Sequence, residues 1–185
     1  KCVGILAATS HLRHFLPPGS LPTLVSALVF SHVRYGLGVY GNCSGKNLAT
    51  IQKIFNFAAR IISGKRKFDH ISGVREDLGW LDSPDLVVHH SLTLLHKVRR
   101  TGQPESLAVQ FHTNRERPNH VRSTRRDDLL SLPNIRGSAA GKRLFVFRAA
   151  DRYNSLPPEF ADMSVPAFKR ALRSRLMSGD GDDRD

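Results

Sequence analysis

The sequence predicts a mainly α fold: a three-helix bundle followed by further helices and a basic irregular arm. Apolar residues recur at helical spacing in long segments, and proline and glycine fall between those segments. Hydrophobic residues make up 40% of the 185-residue chain, which is enough for a substantial core. We expect a three-helix bundle at 1–64, a second helical unit at 65–104, the basic arm at 105–141, C-terminal helices at 142–177 and a disordered tail at 178–185.

The first two helices are predicted from apolar spacing and from the residues that end them. The first spans residues 2–16 and stops at a Pro-Pro-Gly sequence. Its apolar positions at helical spacing are Val3, Leu6, Leu12 and Leu16. We expect Ser20 to cap the second helix, with Pro22 in its first turn, and the helix to run to Tyr35 or Tyr40. Its expected buried residues are Leu24, Leu28 and Val29 or a neighbour.

The third helix, predicted at 46–63 with Gly64 as its C-terminal stop, has two sides of different chemistry. Lys46, Lys53 and Arg60 recur every seven residues and fall within roughly 40° of one another at about 100° per residue. We call these three residues the basic row. The opposite side carries the apolar positions Leu48, Ile51, Phe55, Ala58 and Ile62. One side therefore belongs to the core, and the other is cationic.

Three more basic residues, Lys65, Arg66 and Lys67, follow the third helix; we call them the basic triplet. They either complement the helix dipole or extend the basic row. A short helix is expected at 74–81, with Trp80 packing on the core. Ser83, Pro84 and Asp85 predict the start of a helix that runs to Arg100 and ends at Gly102. It carries His89, His90 and His96, which lack metal-ligand spacing and are expected at a surface or interface.

Residues 105–141 are rich in turn formers, and extended pieces are expected at 129–132 and 134–137. Arg122, Arg125 and Arg126 form the densest arginine group and are candidates for phosphate binding; a solvated loop is the alternative. A helix with Lys142 and Arg143 at its start is predicted from Gly141 to Tyr153, with Leu144, Phe147 and Ala149 or Ala150 inward. Ser164 caps a last helix over Val165–Met177, with buried Phe168, Leu172 and Leu176.

The chain has a net charge of +12, and residues 96–152 alone hold 13 basic and 5 acidic residues. This surplus favours a polyanionic partner over a merely solvated surface. The two cysteines form neither a disulfide framework nor a zinc knuckle, which favours a reducing intracellular compartment. The apolar run at 21–33 is too short for a membrane span, so no membrane partner is expected.

Six phrases in order resemble one family. They are LVSALVFSHVRYG (24–36), IQKIFNFAARIISG (51–64), LGWL (78–81), RSTR (122–125), GKRLF (141–145) and YNSLP (153–157). This series is similar to the region downstream of the polymerase core in non-LTR, LINE-type or jockey-like retrotransposon reverse transcriptases. The resemblance covers about residues 1–177.

The resemblance implies that the first helices form a thumb along a template–primer duplex. The basic row and the basic triplet would then contact phosphates, and the later basic residues would contact template RNA or target DNA. It also implies a missing palm domain as a packing partner and a nuclear location. Magnesium would belong to the parent polymerase, since no cofactor is expected in this fragment.

The chain lacks the carboxylates that polymerase chemistry needs to hold two metal ions. Its only central pair, Asp127 and Asp128, lies among arginines and leucines and is expected at the start of a helix or turn. We therefore expect a non-catalytic, nucleic-acid-binding fragment; the alternatives are a protein-packing fragment and a decayed element copy. The first methionine is Met163, so the chain is expected to be part of a longer protein or to have lost its start; the tail is expected to be a true terminus.

Overall fold

The computed structural model describes residues 1–17, 19–116, 127–135 and 139–179. It is mainly helical, which confirms the predicted fold class. Extended pairing within these residues is limited to one isolated bridge between Thr113 and Leu130. The chain forms two compact units: unit 1 comprises Lys1–Val87 and Leu176–Asp185, and unit 2 comprises Val88–Arg175. This partition differs from the five predicted segments, which stay a prediction.

The helices are numbered in chain order. The first seven are α1 (Cys2–Leu12), α2 (Ser20–Val25), α3 (Ser31–Arg34), α4 (Leu37–Tyr40), α5 (Gly45–Ser63), α6 (Ser72–Asp77) and α7 (Ser83–Thr101). The others are α8 (Glu105–Ala108), α9 (Ala139–Lys142), α10 (Phe145–Asn154) and α11 (Val165–Met177). A π turn at Ser26–Phe30 joins α2 to α3, and 3-10 turns lie at Asn114–Glu116 and Pro158–Asp162.

Helix α1 is shorter than predicted and buries a different side. It ends at Leu12, and its buried residues are Leu6 and Thr9. Val3 and Leu12 are 58% and 51% exposed, so the apolar positions noted at helical spacing do not all face the core. The cause is the uninterrupted apolar run over residues 2–8, which leaves no polar side from which to locate the core.

The second helical segment also differs from its prediction. Gly19, in a left-handed conformation, precedes α2 as its N-cap, so Ser20 is the first helical residue and not the cap. The π turn contains an i→i+5 hydrogen bond, which widens the helix and changes which residues face the core. Leu28 is consequently exposed, and the buried residues of this segment are Val25, Val29, Phe30 and Val33.

The core of unit 1 forms around the apolar side of α5, as predicted. Phe55 and Ala58 are buried. The other three predicted positions, Leu48, Ile51 and Ile62, are partly buried against the same core. The Phe30 ring meets the rings of Phe55 and Trp80 edge to face, with centroid distances of 4.6 and 4.4 Å. Trp80 packs on the core as expected, although α6 ends before it, at Asp77.

Helix α7 begins and ends where the sequence predicts. Ser83 Oγ donates to the Leu48 carbonyl oxygen at 3.0 Å, and Ser83 N donates to Gln52 Oε1 at 2.8 Å. These bonds join the start of α7 to α5. Gly102, at φ +66°, follows the last helical residue, Thr101. A left-handed glycine ends a helix here without strain.

The core of unit 2 contains a histidine that was expected at a surface or interface. His96 is fully buried, and its ring stacks on Phe168 at 4.0 Å. Met163 O can only accept a hydrogen bond, so Nε2 carries the proton that donates to it at 2.9 Å. Nδ1 then accepts from the Tyr153 hydroxyl, also at 2.9 Å. The position is a hydrogen-bonded core histidine.

The C-terminal helices follow their predictions in part. Helix α11 has the predicted bounds and buries Phe168 and Leu172. The helix predicted from Gly141 is interrupted: α9 ends at Lys142, and α10 begins at Phe145. Leu144 lies in the break and is exposed, so its expected inward position is wrong. Ala149 and Ala150 are both buried, together with Tyr153.

The segment predicted as an irregular arm is partly ordered. It contains α8 and the bridge between Thr113 and Leu130. Leu130 lies within the extended piece that the sequence predicts at 129–132. The Asn154 side chain bonds both backbone groups of Leu130, accepting from its N–H at 2.8 Å and donating to its carbonyl oxygen at 3.0 Å. Residues 117–126 and 136–138, within the predicted arm, lie outside the described residues.

Substituting Gly41 should destabilise unit 1. A Cβ at Gly41 would lie 2.7 Å from Val87 Cγ1 and would also crowd the Leu37 carbonyl oxygen. We expect Gly41→Ala to lower the free energy of unfolding by about 1–3 kcal/mol, the usual cost of overpacking. Urea denaturation measures the change. The control is Gly45→Ala, where the new methyl meets open space; a loss of stability there of the same size would contradict the packing argument.

The buried imidazole should make stability depend on pH. Burial lowers the pKa of His96, and nearby Arg100 and Arg99 lower it further against the opposing effect of the Met163 carbonyl. The unfolded chain, with a histidine pKa of about 6.5, then binds more protons than the folded chain. Stability is complete above pH 6.5 and falls as the pH drops through 6.5 toward the lowered folded-state pKa.

Thermal melts at pH 8 and pH 5.5 test this dependence. His96→Gln keeps hydrogen-bonding groups but does not titrate, so its melting temperature should fall less on acidification than that of the wild type. The control is His112→Gln, which removes an exposed histidine of the same unit. An unchanged acid sensitivity in His96→Gln would assign the pH effect to other groups.

Candidate nucleic-acid interface

The basic row lies on the solvent side of α5. Lys46 and Lys53 are exposed, and Arg60 is half-buried. Burial of Phe55 and Ala58 fixes the rotation of α5 about its axis, so the opposite side must face water. Seven residues of α-helix advance by about 10 Å, which sets the spacing of the three cations along the helix. The row is therefore a straight line of positive charge on a rigid support.

Arg13 lies against the C-terminal end of α5, a contact that the sequence analysis did not predict. Gly64 ends the helix at φ +73°, and its N–H donates to the Arg60 carbonyl oxygen at 2.8 Å. A Cβ at Gly64 would lie 2.6 Å from Arg13 Nη2, so the Arg13 guanidinium rests against this backbone. Glycine permits both the positive φ and the close approach. No sequence signal relates Arg13 to Gly64, because their contact depends on tertiary packing.

The basic triplet lies at a closed turn over residues 66–69. Arg66 N–H donates to Asp69 Oδ2 at 2.7 Å, and Asp69 N–H donates back to the Arg66 carbonyl oxygen at 3.2 Å. Lys65 Nζ donates to the His70 carbonyl oxygen at 3.0 Å, just beyond the turn. An acidic side chain that bonds nearby backbone in this way holds the chain in one conformation. All three residues of the triplet are exposed.

Arg60 also has a structural role that the seven-residue spacing of the basic row does not predict. Its Nε donates to the Arg66 carbonyl oxygen at 3.2 Å, and its Nη2 reaches the Asp69 carbonyl oxygen at 3.5 Å. A guanidinium has five N–H donors, so donors remain after these contacts. Arg60 therefore positions the turn relative to α5 and joins the basic row to the basic triplet.

The charge around this surface is one-sided. The first 68 residues contain nine basic residues and no acidic residue. The first carboxylate in the sequence, Asp69, closes the turn beside the triplet, and Asp82 pairs with Arg75. The absence of Asp and Glu from residues 1–68 is visible in the sequence, but the seven-residue spacing of the basic row does not reveal it. It leaves Lys46 and Lys53 without a carboxylate on any of the helices α1–α5.

The other predicted contact residues stay a prediction. Lys142 and Arg143 are exposed and belong to unit 2, where the Arg143 carbonyl oxygen accepts from Arg148 Nε at 3.1 Å. The three arginines predicted in the arm, Arg122, Arg125 and Arg126, lie outside the described residues. Within the described residues of unit 1, the bonds of Arg60 connect the basic row to the basic triplet, and we call these residues together the basic surface.

The central acidic pair, Asp127 and Asp128, lies in a turn. Asp127 is buried, whereas exposed Asp128 pairs with Arg115 at 3.3 Å. Among residues 1–17, 19–116, 127–135 and 139–179, no group of three or more His, Cys, Asp or Glu side chains has a metal-binding arrangement. Within those same stretches, no helix is long and apolar enough to cross a membrane.

Comparison of the chain with protein-family models, with curated proteins and with solved structures finds no match. The functional argument therefore depends on the chemistry of the basic surface itself.

The turn at 66–69 should loosen when its carboxylate is removed. We expect Asp69→Ala to accelerate hydrogen exchange of the Arg66 amide about fivefold, because that amide loses its acceptor at a net cost of about 1 kcal/mol. Hydrogen exchange with mass spectrometry measures the effect. Asp69→Asn is the matched control, since its amide oxygen can still accept the bond. Equal exchange in wild type and Asp69→Ala would show that other contacts hold the turn.

Proposed function

We propose that unit 1 binds the phosphate backbone of nucleic acid through the basic row and the basic triplet. The observation that carries this proposal is the alignment of Lys46, Lys53 and Arg60 along α5, within a stretch, residues 1–68, that contains no acidic residue. The bound species would be an RNA–DNA duplex, RNA or target DNA, gripped without sequence preference. In this proposal the chain is the non-catalytic C-terminal region of a LINE-type reverse transcriptase, it acts in the nucleus, and Mg²⁺ chemistry belongs to the parent polymerase.

The physical argument is electrostatic. Phosphates attract lysine and arginine chiefly through charge, and binding releases counterions from the nucleic acid. A straight row along one helix suits a linear polyanion, since successive cations meet successive parts of one strand. Arg60 connects the row to the backbone of the triplet through its bond to the Arg66 carbonyl oxygen. Contacts of this kind position a nucleic acid but do not distinguish its sequence.

A second candidate function, protein packing, rests on a different observation. Unit 1 exposes several large apolar side chains, namely Val3, Leu12, Phe15 and Leu28. Exposed apolar residues on a small unit favour a protein partner when they are contiguous. A palm domain of the parent protein is the partner that the family resemblance suggests. Such binding would be insensitive to salt, which separates it from the first proposal.

The test is fluorescence anisotropy with a labelled RNA–DNA hybrid over a range of salt concentrations. Six phosphate contacts predict a slope of about −5 in a plot of log affinity against log salt. The double variant Lys46→Glu/Lys53→Glu should weaken binding strongly and make the slope shallower by about two. Both side chains are exposed, so the fold should be retained.

The matched control is Lys97→Glu/Lys169→Glu, which makes the same charge change at two exposed lysines of unit 2. A much smaller loss of affinity is expected for the control. Equal losses of affinity in the two double variants would show that net charge alone causes the effect. The basic row would then not be the binding site. An absence of binding by the folded wild-type chain would favour the protein-packing function.

A further inference from the structure

Phe68 lies in an unusual place for a phenylalanine. Its side chain is 89% exposed, and it is the third residue of the closed turn at 66–69. Turn positions favour glycine, proline, asparagine, aspartate and serine, each for a local conformational reason that phenylalanine lacks. The exposed ring also contributes little to the core of unit 1. Neither turn chemistry nor burial explains its presence.

The backbone that carries Phe68 is held in place. The bonds between Arg66 and Asp69 close the turn on itself, and the Arg60 guanidinium ties the turn to α5. The ring is therefore presented to solvent from a fixed backbone, in a turn that is bonded to Arg60, the last residue of the basic row. Such preorganisation lowers the entropic cost of placing a ring against a ligand.

The surroundings of Phe68 are cationic. Lys67 Nζ lies 5.4 Å from the centroid of its ring, and Lys65 and Arg66 precede it in the chain. Aromatic rings set among lysine and arginine are the means by which proteins bind single-stranded nucleic acid, because bases stack on the ring while cations hold the backbone. The basic row extends over about 20 Å of α5 before reaching this turn.

We propose that the Phe68 ring stacks on an unpaired base of the nucleic acid whose phosphates lie along the basic row. The ligand would then have a single-stranded end or overhang beyond its paired part. This inference rests on the proposed function and adds a place and a chemistry for an unpaired base. An anionic lipid surface also attracts cations flanking an exposed ring, but a linear row of charge matches a strand better than a plane.

The test compares a blunt RNA–DNA hybrid with one that carries a short single-stranded overhang containing 2-aminopurine, whose fluorescence falls on stacking. The wild-type chain should bind the overhang substrate more tightly and quench its fluorescence. Phe68→Ala should weaken binding of the overhang substrate by about 5- to 150-fold, the usual range for one stacked base, and should abolish the quenching. Its affinity for the blunt hybrid should stay within twofold of wild type.

Two further variants separate stacking from general apolar contact. Phe68→Trp should retain both tight binding and quenching, whereas Phe68→Leu keeps an apolar side chain and should lose both. Tyr35→Ala is the control, since it removes an equally exposed aromatic residue from another turn. Circular dichroism melts should be unchanged in all of these variants, because the substituted side chains are exposed.

Several results would overturn the inference. Wild-type affinity in Phe68→Ala, or wild-type quenching in Phe68→Leu, would exclude stacking while leaving backbone binding intact. Failure of the wild-type chain to bind even the blunt hybrid would overturn the proposed function as well. Phosphatidylserine vesicles provide the last comparison: vesicle binding that requires Phe68, with oligonucleotide binding that does not, would assign the ring to a lipid surface.

Discussion

The burial of one side of α5 is the interaction on which unit 1 depends. Phe55 and Ala58 lie against residues from α1, from the segment that contains the π turn and from the start of α7. The same burial points Lys46 and Lys53 into solvent, because a helix has only one rotation that hides its apolar side. Turning α5 toward the core by its charged side would bury uncompensated cations at a large cost. The packing that stabilises the core therefore also places the basic row in solvent.

At the end of α5, Arg60 orders the turn at the basic triplet, Lys65, Arg66 and Lys67. Gly64 ends the helix, and the Arg60 guanidinium donates to the backbone carbonyl oxygens of Arg66 and Asp69 in the turn that follows. Backbone oxygens carry only partial charge, so the guanidinium keeps its full positive charge while it is held. The turn is consequently both ordered and strongly basic. A free loop with the same residues would lose more conformational entropy on binding any ligand.

The placement of the basic row along α5 was predictable because its residues share one helix. Lys46, Lys53 and Arg60 follow from periodicity, since the geometry of an α-helix is the same in any protein. The contact of Arg13 with the end of α5, and the exposure of Phe68, do not follow from any local pattern. The first depends on how two distant segments pack, and the second on bonds that close a turn. His96 was misplaced for the same reason, because its neighbours Tyr153 and Phe168 come from distant parts of the chain.

The sequence by itself determined the mainly α fold and the ends of its best-marked helices. Gly64 and Gly102 end α5 and α7 because a left-handed glycine acts through its own backbone, and Pro84 and Asp85 mark the first turn of α7. Tertiary structure alone decided which side of α1 is buried and how the π turn changes the side that α2 and α3 present. The run over residues 2–8 has no polar side chain, so local chemistry does not select a rotation for α1, and no local pattern marks the π turn. Only the shape of the surrounding core, built from residues far apart in the chain, selects one orientation.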